Sequence, residues 1–228
     1  MASTEFQSGP FTFFPRRQLN LAGTPCTLWE LNYSHAYIGE RTAPAAATQT
    51  QVRELFESDI ERFAREMESE HAPTVVHLID FDSGESVASV TVVGDLGLTP
   101  GVIDDRSKFW LQSSDRRRSR DIFLADFSAI IAKHQAPARS WICGLLPDEV
   151  LADDPTEWRS PTSWELRHVV GEGSLTGVSG AKAAALVGVT PQNFRKYTAA
   201  DGASTRQNIS FAMWHLLLHR LEIQSLRG

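Results

Sequence analysis

Four side chains within five consecutive positions, Gln192, Asn193, Arg195 and Lys196, carry hydrogen-bonding groups suited to a nucleic acid. An amide offers a donor beside an acceptor and fits the edge of adenine, a guanidinium offers paired donors and fits guanine, and an ammonium fits a phosphate. Such groups work only when a rigid element holds them on one face, and the neighbouring residues predict that element. Thr190 is placed to cap a helix, Pro191 occupies the first helical position, where a missing N–H costs nothing, and Phe194 and Tyr197 fall on the other side. Upstream, Ser179 opens a helix containing Ala181, Ala183, Ala184, Ala185 and Leu186, and Gly188 can turn left-handed after it. Ala184 is small where two helices must cross closely, and Val187 and Val189 keep the inner side apolar. Helix, glycine turn and helix at this spacing predict a helix-turn-helix. The candidate DNA-contacting residues are Thr190, Gln192, Asn193, Arg195, Lys196 and Arg206.

Two further helices complete this C-terminal part. Thr162-Ser163-Trp164-Glu165 reads as a capping box, in which hydroxyl and carboxylate each satisfy an amide at the helix start. The stretch from Ile209 to Ile223 places Phe211, Trp214, Leu218 and Leu221 on one stripe, widened by Leu217. That stripe is broader than a domain of this size needs, so these four residues are the candidate contacts to a second subunit. His215 and His219 have the spacing of a helical zinc pair, but the glutamate of that motif and a third ligand are missing, so no metal is expected. Asp80 and Asp82, and Asp104 and Asp105, sit near turns, where carboxylates cap or solvate. No phosphate-cradling loop, nucleophile elbow or HExxH occurs, and Gly171-Glu172-Gly173 lacks a dinucleotide fingerprint. Neither an enzyme nor a cofactor is expected.

The remainder of the 228 residues has a different character. From Thr156 onward there are eight Lys and Arg against five Asp and Glu, a net +3, and the whole chain carries −6, so residues 1–155 carry −9. A basic C-terminal part on an acidic remainder suggests two surfaces for two partners. Phe11 to Phe14, Thr27 to Tyr33 and Ala36 to Thr42 read as a small strand meander. Val52, Phe56, Ile60, Phe63 and Met67 then recur at helical spacing within one helix from Gln51 to Glu68. Its outer face carries Glu54, Glu57, Glu61 and Glu68, the candidate partner-binding residues, with a Glu61/Arg65 pair one turn apart. Val75 to Asp80 and Val87 to Val93 form a hairpin, Lys108 to Leu111 a further strand, and Ile122 to His134 a helix. The basic loop holding Arg116, Arg117, Arg118 and Arg120 is flanked by acids and lacks aromatics, which suits a solvated loop. Prolines around Pro147 to Pro161 mark a boundary. The expected architecture is α+β, with two small α+β domains at 1–70 and 71–150 and an all-α helix-turn-helix domain at 151–228. Cys26 and Cys143 are too few for a disulfide framework, and no apolar run approaches the ~20 residues of a membrane helix, so a cytoplasmic protein is expected.

The stretch WRSPTSWELRHVVGEGSLTGVSGAKAAALVGV, followed by NFRKYTAADGASTRQNISFAMWHLLLHRLE, resembles the C-terminal domain of a family of type I-F anti-CRISPR proteins that carry their own helix-turn-helix. A looser likeness extends through GPFTFFPRRQLNLAGTPCTLWELNYS, HAPTVV, DDRSKFWL and WICGLLPDEVL. The resemblance implies a three-domain homodimer from a phage or mobile element. It would act in the host bacterial cytoplasm, bind the backbone subunits of the type I-F crRNA-guided surveillance complex, draw two complexes together and block target-DNA hybridisation. It also implies repression of the protein's own promoter at an inverted repeat in duplex DNA. Asn193-Phe194-Arg195-Lys196-Tyr197 matches the family's recognition helix, whereas Val189 to Gln192 depart from it. No motif carries over to the complex-binding face, which rests on the charge of the acidic helix alone. The competing reading is a dedicated helix-turn-helix repressor without CRISPR inhibition.

Overall fold

The computed structural model describes residues 4–80, 84–92, 108–111 and 135–225. The expected helix at 122–134, the basic loop at 112–121 and the acidic pairs Asp80 with Asp82 and Asp104 with Asp105 fall wholly or partly outside them. The chain is mixed α and β and divides into two compact units, one of residues 1–71 with 142–228 and one of residues 72–141.

In the first unit, β1 (Phe6–Ser8), β2 (Phe11–Leu21), β3 (Thr24–Tyr33) and β4 (Ala36–Pro44) form an antiparallel sheet in chain order. Alternation sends Phe11, Phe13, Trp29, Leu31 and Ala43 to one face, where they pack with Val52, Phe56 and Phe63. Phe13 meets Phe56 and Phe11 meets Phe63 edge-on, with ring centroids 5.6 and 5.5 Å apart. That geometry sets positive ring edges on negative faces and adds ~1 kcal/mol per pair to the area buried.

The helix expected over Gln51 to Glu68 is two helices, α1 (Gln49–Leu55) and α2 (Glu57–Glu70). Phe56 leaves helical geometry at φ −100° and ψ 5° while its ring stays fully buried. Thr48 caps α1 in a reciprocal box with Gln51. The buried carboxylate of Asp59 holds α2 to β4 through Arg41 at 2.5 Å and also accepts from Arg62 at 3.0 Å.

The helices after residue 142 belong to this same unit rather than to a body of their own. They are α3 (Asp148–Leu151), α4 (Ser163–Val169), α5 (Gly180–Leu186), α6 (Pro191–Thr198) and α7 (Phe211–Arg220). The joint with the sheet is made of backbone and buried polar groups. The Gly9 amide donates to the Glu172 carbonyl at 2.7 Å, and the Trp164 indole donates to the Pro10 carbonyl at 3.2 Å. Gly9 has φ +58°, and a Cβ there would overlap the Gly173 carbonyl, so only glycine permits this approach. His168, fully buried, donates from Nδ1 to the Trp164 carbonyl at 3.0 Å and accepts the Tyr33 hydroxyl at Nε2, 2.8 Å away. Burial lowers the His168 pKa to about 4 and raises that of Tyr33 to about 12.

In the second unit, β5 (Thr74–Asp80) pairs antiparallel with β6 (Ser86–Val92) and parallel with β7 (Lys108–Leu111). The expected hairpin and third strand are present.

Candidate nucleic-acid interface

The positioning of α6 begins at the end of α5. After Leu186 the chain passes Val187 and reaches Gly188 at φ +73°; the Gly188 amide donates to Ala185 and the Val189 amide to Ala184. These two bonds satisfy carbonyls left open at the helix end, and the left-handed residue reverses the chain. Thr190 then accepts the Asn193 amide at 3.3 Å and Pro191 starts α6. Ala183 and Ala184 are fully buried and Phe194 is 1% exposed, so α5 and α6 pack through small side chains and one ring. Tyr197 meets Phe194 edge-on at 5.9 Å.

With Phe194 inward, Thr190, Gln192, Asn193 and Arg195 are exposed and Lys196 is half-buried. The structure thus brings five of the six candidate DNA-contacting residues onto one short helix and its cap. Lys182, in the first turn of α5, is exposed as well. From Lys196 the backbone is tied onward, its carbonyl accepting the Gln207 amide at 3.0 Å.

Arg206 is placed differently. Its side chain is only 10% exposed, donates to the Pro161 carbonyl at 2.9 Å and pairs with Asp201 at 3.4 Å. Asp201 in turn accepts from the amide and hydroxyl of Ser163 at the start of α4. Arg206 therefore anchors the 199–208 loop to α4, and the expectation that it contacts DNA is corrected. A cation in a sequence does not show whether carbonyls and a carboxylate will close around it. No spacing signal marked the Asp201 to Ser163 contact, which spans 38 residues.

No family model matches the chain, and no curated protein matches it.

The candidate dimer stripe is also corrected. Trp214 and Leu218 are fully buried and Leu221 is 2% exposed within one chain, while Phe211 is half-buried against Trp158 and His215. Residues 142–150, expected in the middle domain, fold under α7 and use its breadth: the indoles of Trp214 and Trp158 both donate to the Val150 carbonyl, at 2.7 and 3.2 Å. His215 is buried and desolvation lowers its pKa, whereas His219 is exposed. Cys143 donates to the Ile223 carbonyl, and burial raises its pKa to about 11, which leaves an unreactive thiol.

Glu54, Glu57, Glu61 and Glu68 are all exposed, and the first three line a shallow hollow with Arg53 and Ile60. Arg65 donates to the Glu61 carbonyl rather than to its carboxylate, and Arg62 reaches Glu66 at 3.9 Å instead. Among the described residues no group of three or more His, Cys, Asp or Glu is placed to hold a metal ion, and no helix is long and apolar enough to cross a membrane.

Proposed function

We propose that the chain binds duplex DNA through a helix-turn-helix formed by α5, Gly188 and α6. The observation that carries this reading is the combination of a left-handed glycine turn, a buried Ala183-Ala184 crossing and an outer face bearing Gln192, Asn193 and Arg195. Asn193 and Gln192 would pair with adenine edges, Arg195 with guanine, and Lys196 with a phosphate. One helix of this length covers too few base pairs for a unique site, so the reading includes a homodimer on an inverted repeat. Its dimer contacts lie outside the α7 stripe.

The resemblance in the C-terminal sequence extends the reading to a dual-function type I-F anti-CRISPR protein. It would repress its own promoter and bind the backbone subunits of the crRNA-guided surveillance complex, with the exposed carboxylates of α1 and α2 facing a basic surface.

The test joins both halves. Full-length protein is titrated with its promoter duplex and, separately, mixed with a crRNA-loaded type I-F complex and resolved by size. Wild type should bind both and form a larger co-migrating species. Arg195→Ala with Lys196→Ala should lose promoter binding by at least tenfold, as a good base contact contributes ~1–3 kcal/mol, while still co-migrating with the complex. Intact promoter binding by the double variant would move the DNA site elsewhere. Failure of wild type to co-migrate would leave a dedicated repressor.

A further inference from the structure

The hairpin of β2 and β3 carries a cationic face that the recognition helix does not use. Between Glu5 and Glu30 the chain has no carboxylate, although it contains 28 in all, and Arg16 and Arg17 fall within that stretch. Their placement depends on a break in strand register. Pro15 pairs with Trp29 and Arg17 with Leu28, so Arg16 is an extra residue bulged out of β2. In a regular strand two successive side chains point to opposite faces, whereas a bulge re-aims one of them. Arg16 reaches Glu30 and Arg17 stands opposite Leu28; both partners lie on the face away from the aromatic core, so both guanidiniums share that outer face.

The two differ in commitment. Arg16 holds Glu30 in a bidentate pair at 2.5 and 2.6 Å and lies over the Phe14 ring at 5.7 Å. The exposed Arg17 makes no ion pair among the described residues. Arg16 takes up Glu30, the one carboxylate of the hairpin, and Arg17 is left without a partner on it; the exposed Glu40 of β4 stands opposite Glu30. β1 pairs β2 only from Phe11 to Phe13, so beyond Phe13 no described strand covers this side of β2. Pro15 and the bulge interrupt the backbone ladder there, so this edge offers side chains rather than a strand-pairing template. The hairpin ends at Ala22 and Gly23, both left-handed, with Leu21 51% exposed.

We infer that the outer face of the β2–β3 hairpin is a second, sequence-independent nucleic-acid contact in which Arg17 binds a phosphate of duplex DNA. The inference rests on the reading of this chain as a DNA-binding protein and adds a contact about 20 Å along β2 from the joint with α4. An exposed guanidinium on a strand edge, not held in an ion pair, suits a phosphate, and such a contact adds affinity and salt dependence without base preference.

The test uses the full chain and a random-sequence duplex of about 40 base pairs, with affinity followed from about 50 to 200 mM salt. Arg17→Glu should weaken binding by roughly tenfold at the lowest salt and reduce the slope of log affinity against log salt by about one, while Arg17→Lys stays near wild type. Arg65→Glu, a reversal of equal size on the exposed side of α2, should have a much smaller effect. Wild-type affinity and slope in Arg17→Glu, or an equal loss in Arg65→Glu, would overturn the inference. The Arg195→Ala, Lys196→Ala variant separates the two readings. Loss there with none in Arg17→Glu leaves the recognition helix and removes the hairpin contact; the converse keeps the hairpin and removes the helix.

Discussion

His168 shows at the residue scale how a side chain with a familiar catalytic repertoire can serve structure alone. Its two nitrogens are both engaged and burial holds its pKa at about 4 against an ordinary 6.5. The unfolded chain takes up this proton near pH 6.5 and the folded chain only near pH 4. Stability from this group is therefore complete above about pH 6.5, is lost progressively as pH falls towards 4, and levels off below. The shift corresponds to about 3 kcal/mol. Urea denaturation at pH 7 and pH 4 should show wild type losing about that much more than His168→Gln, which cannot titrate. An equal loss in the two proteins would assign the acid sensitivity to other groups. This histidine was not legible in the sequence, because its Tyr33 partner lies 135 residues away. Arg206 was misread for the same reason, since charge is local information and enclosure is not.

At the scale of elements, the caps and turns were the most legible features because their chemistry is completed within a few residues. The box at Thr162 with Glu165, the Thr190-Pro191 start and the Gly188 stop follow from side chains that satisfy amides or relieve a left-handed backbone. The break at Phe56 was hidden because Val52, Phe56, Ile60 and Phe63 keep helical spacing straight through it, and burial of the Phe56 ring draws both helices onto the sheet. The Gly188 turn makes a quantitative expectation possible. A β-branched side chain at φ +73° strains the backbone, so Gly188→Val should lower stability by about 1–2 kcal/mol in urea denaturation. Duplex binding should fall further than the stability loss alone explains, because the turn sets the angle of α6. Full duplex affinity in a folded Gly188→Val protein would show that α6 is held without the turn.

At the scale of the whole molecule, the division expected from charge and prolines, with the basic C-terminal part as a separate body, differs from the two units of the fold. Residues 142–228 share a unit with residues 1–71, and the chain between them forms the second unit. His71 and Gly144, at the two ends of that intervening stretch, lie so close that a Cβ on Gly144 would overlap the His71 ring. A fragment of residues 151–228 retains the helix-turn-helix sequence but loses the Val150 carbonyl that accepts both Trp158 and Trp214, the Pro10 carbonyl under Trp164 and the Tyr33 hydroxyl on His168. Each buried polar group left unpaired costs about 1–3 kcal/mol, and a domain's whole stability is only about 5–15 kcal/mol. That fragment is therefore expected to show no cooperative thermal transition by circular dichroism and no duplex binding. A chain in which residues 72–141 are replaced by a short Gly-Ser linker keeps every one of those partners, and the contact of His71 with Gly144 places the two ends within the linker's reach. It should melt cooperatively and bind duplex DNA. A fragment of residues 151–228 that folds and binds by itself would restore the three-domain division and make the joint at Gly9 and Gly173 dispensable for reading DNA.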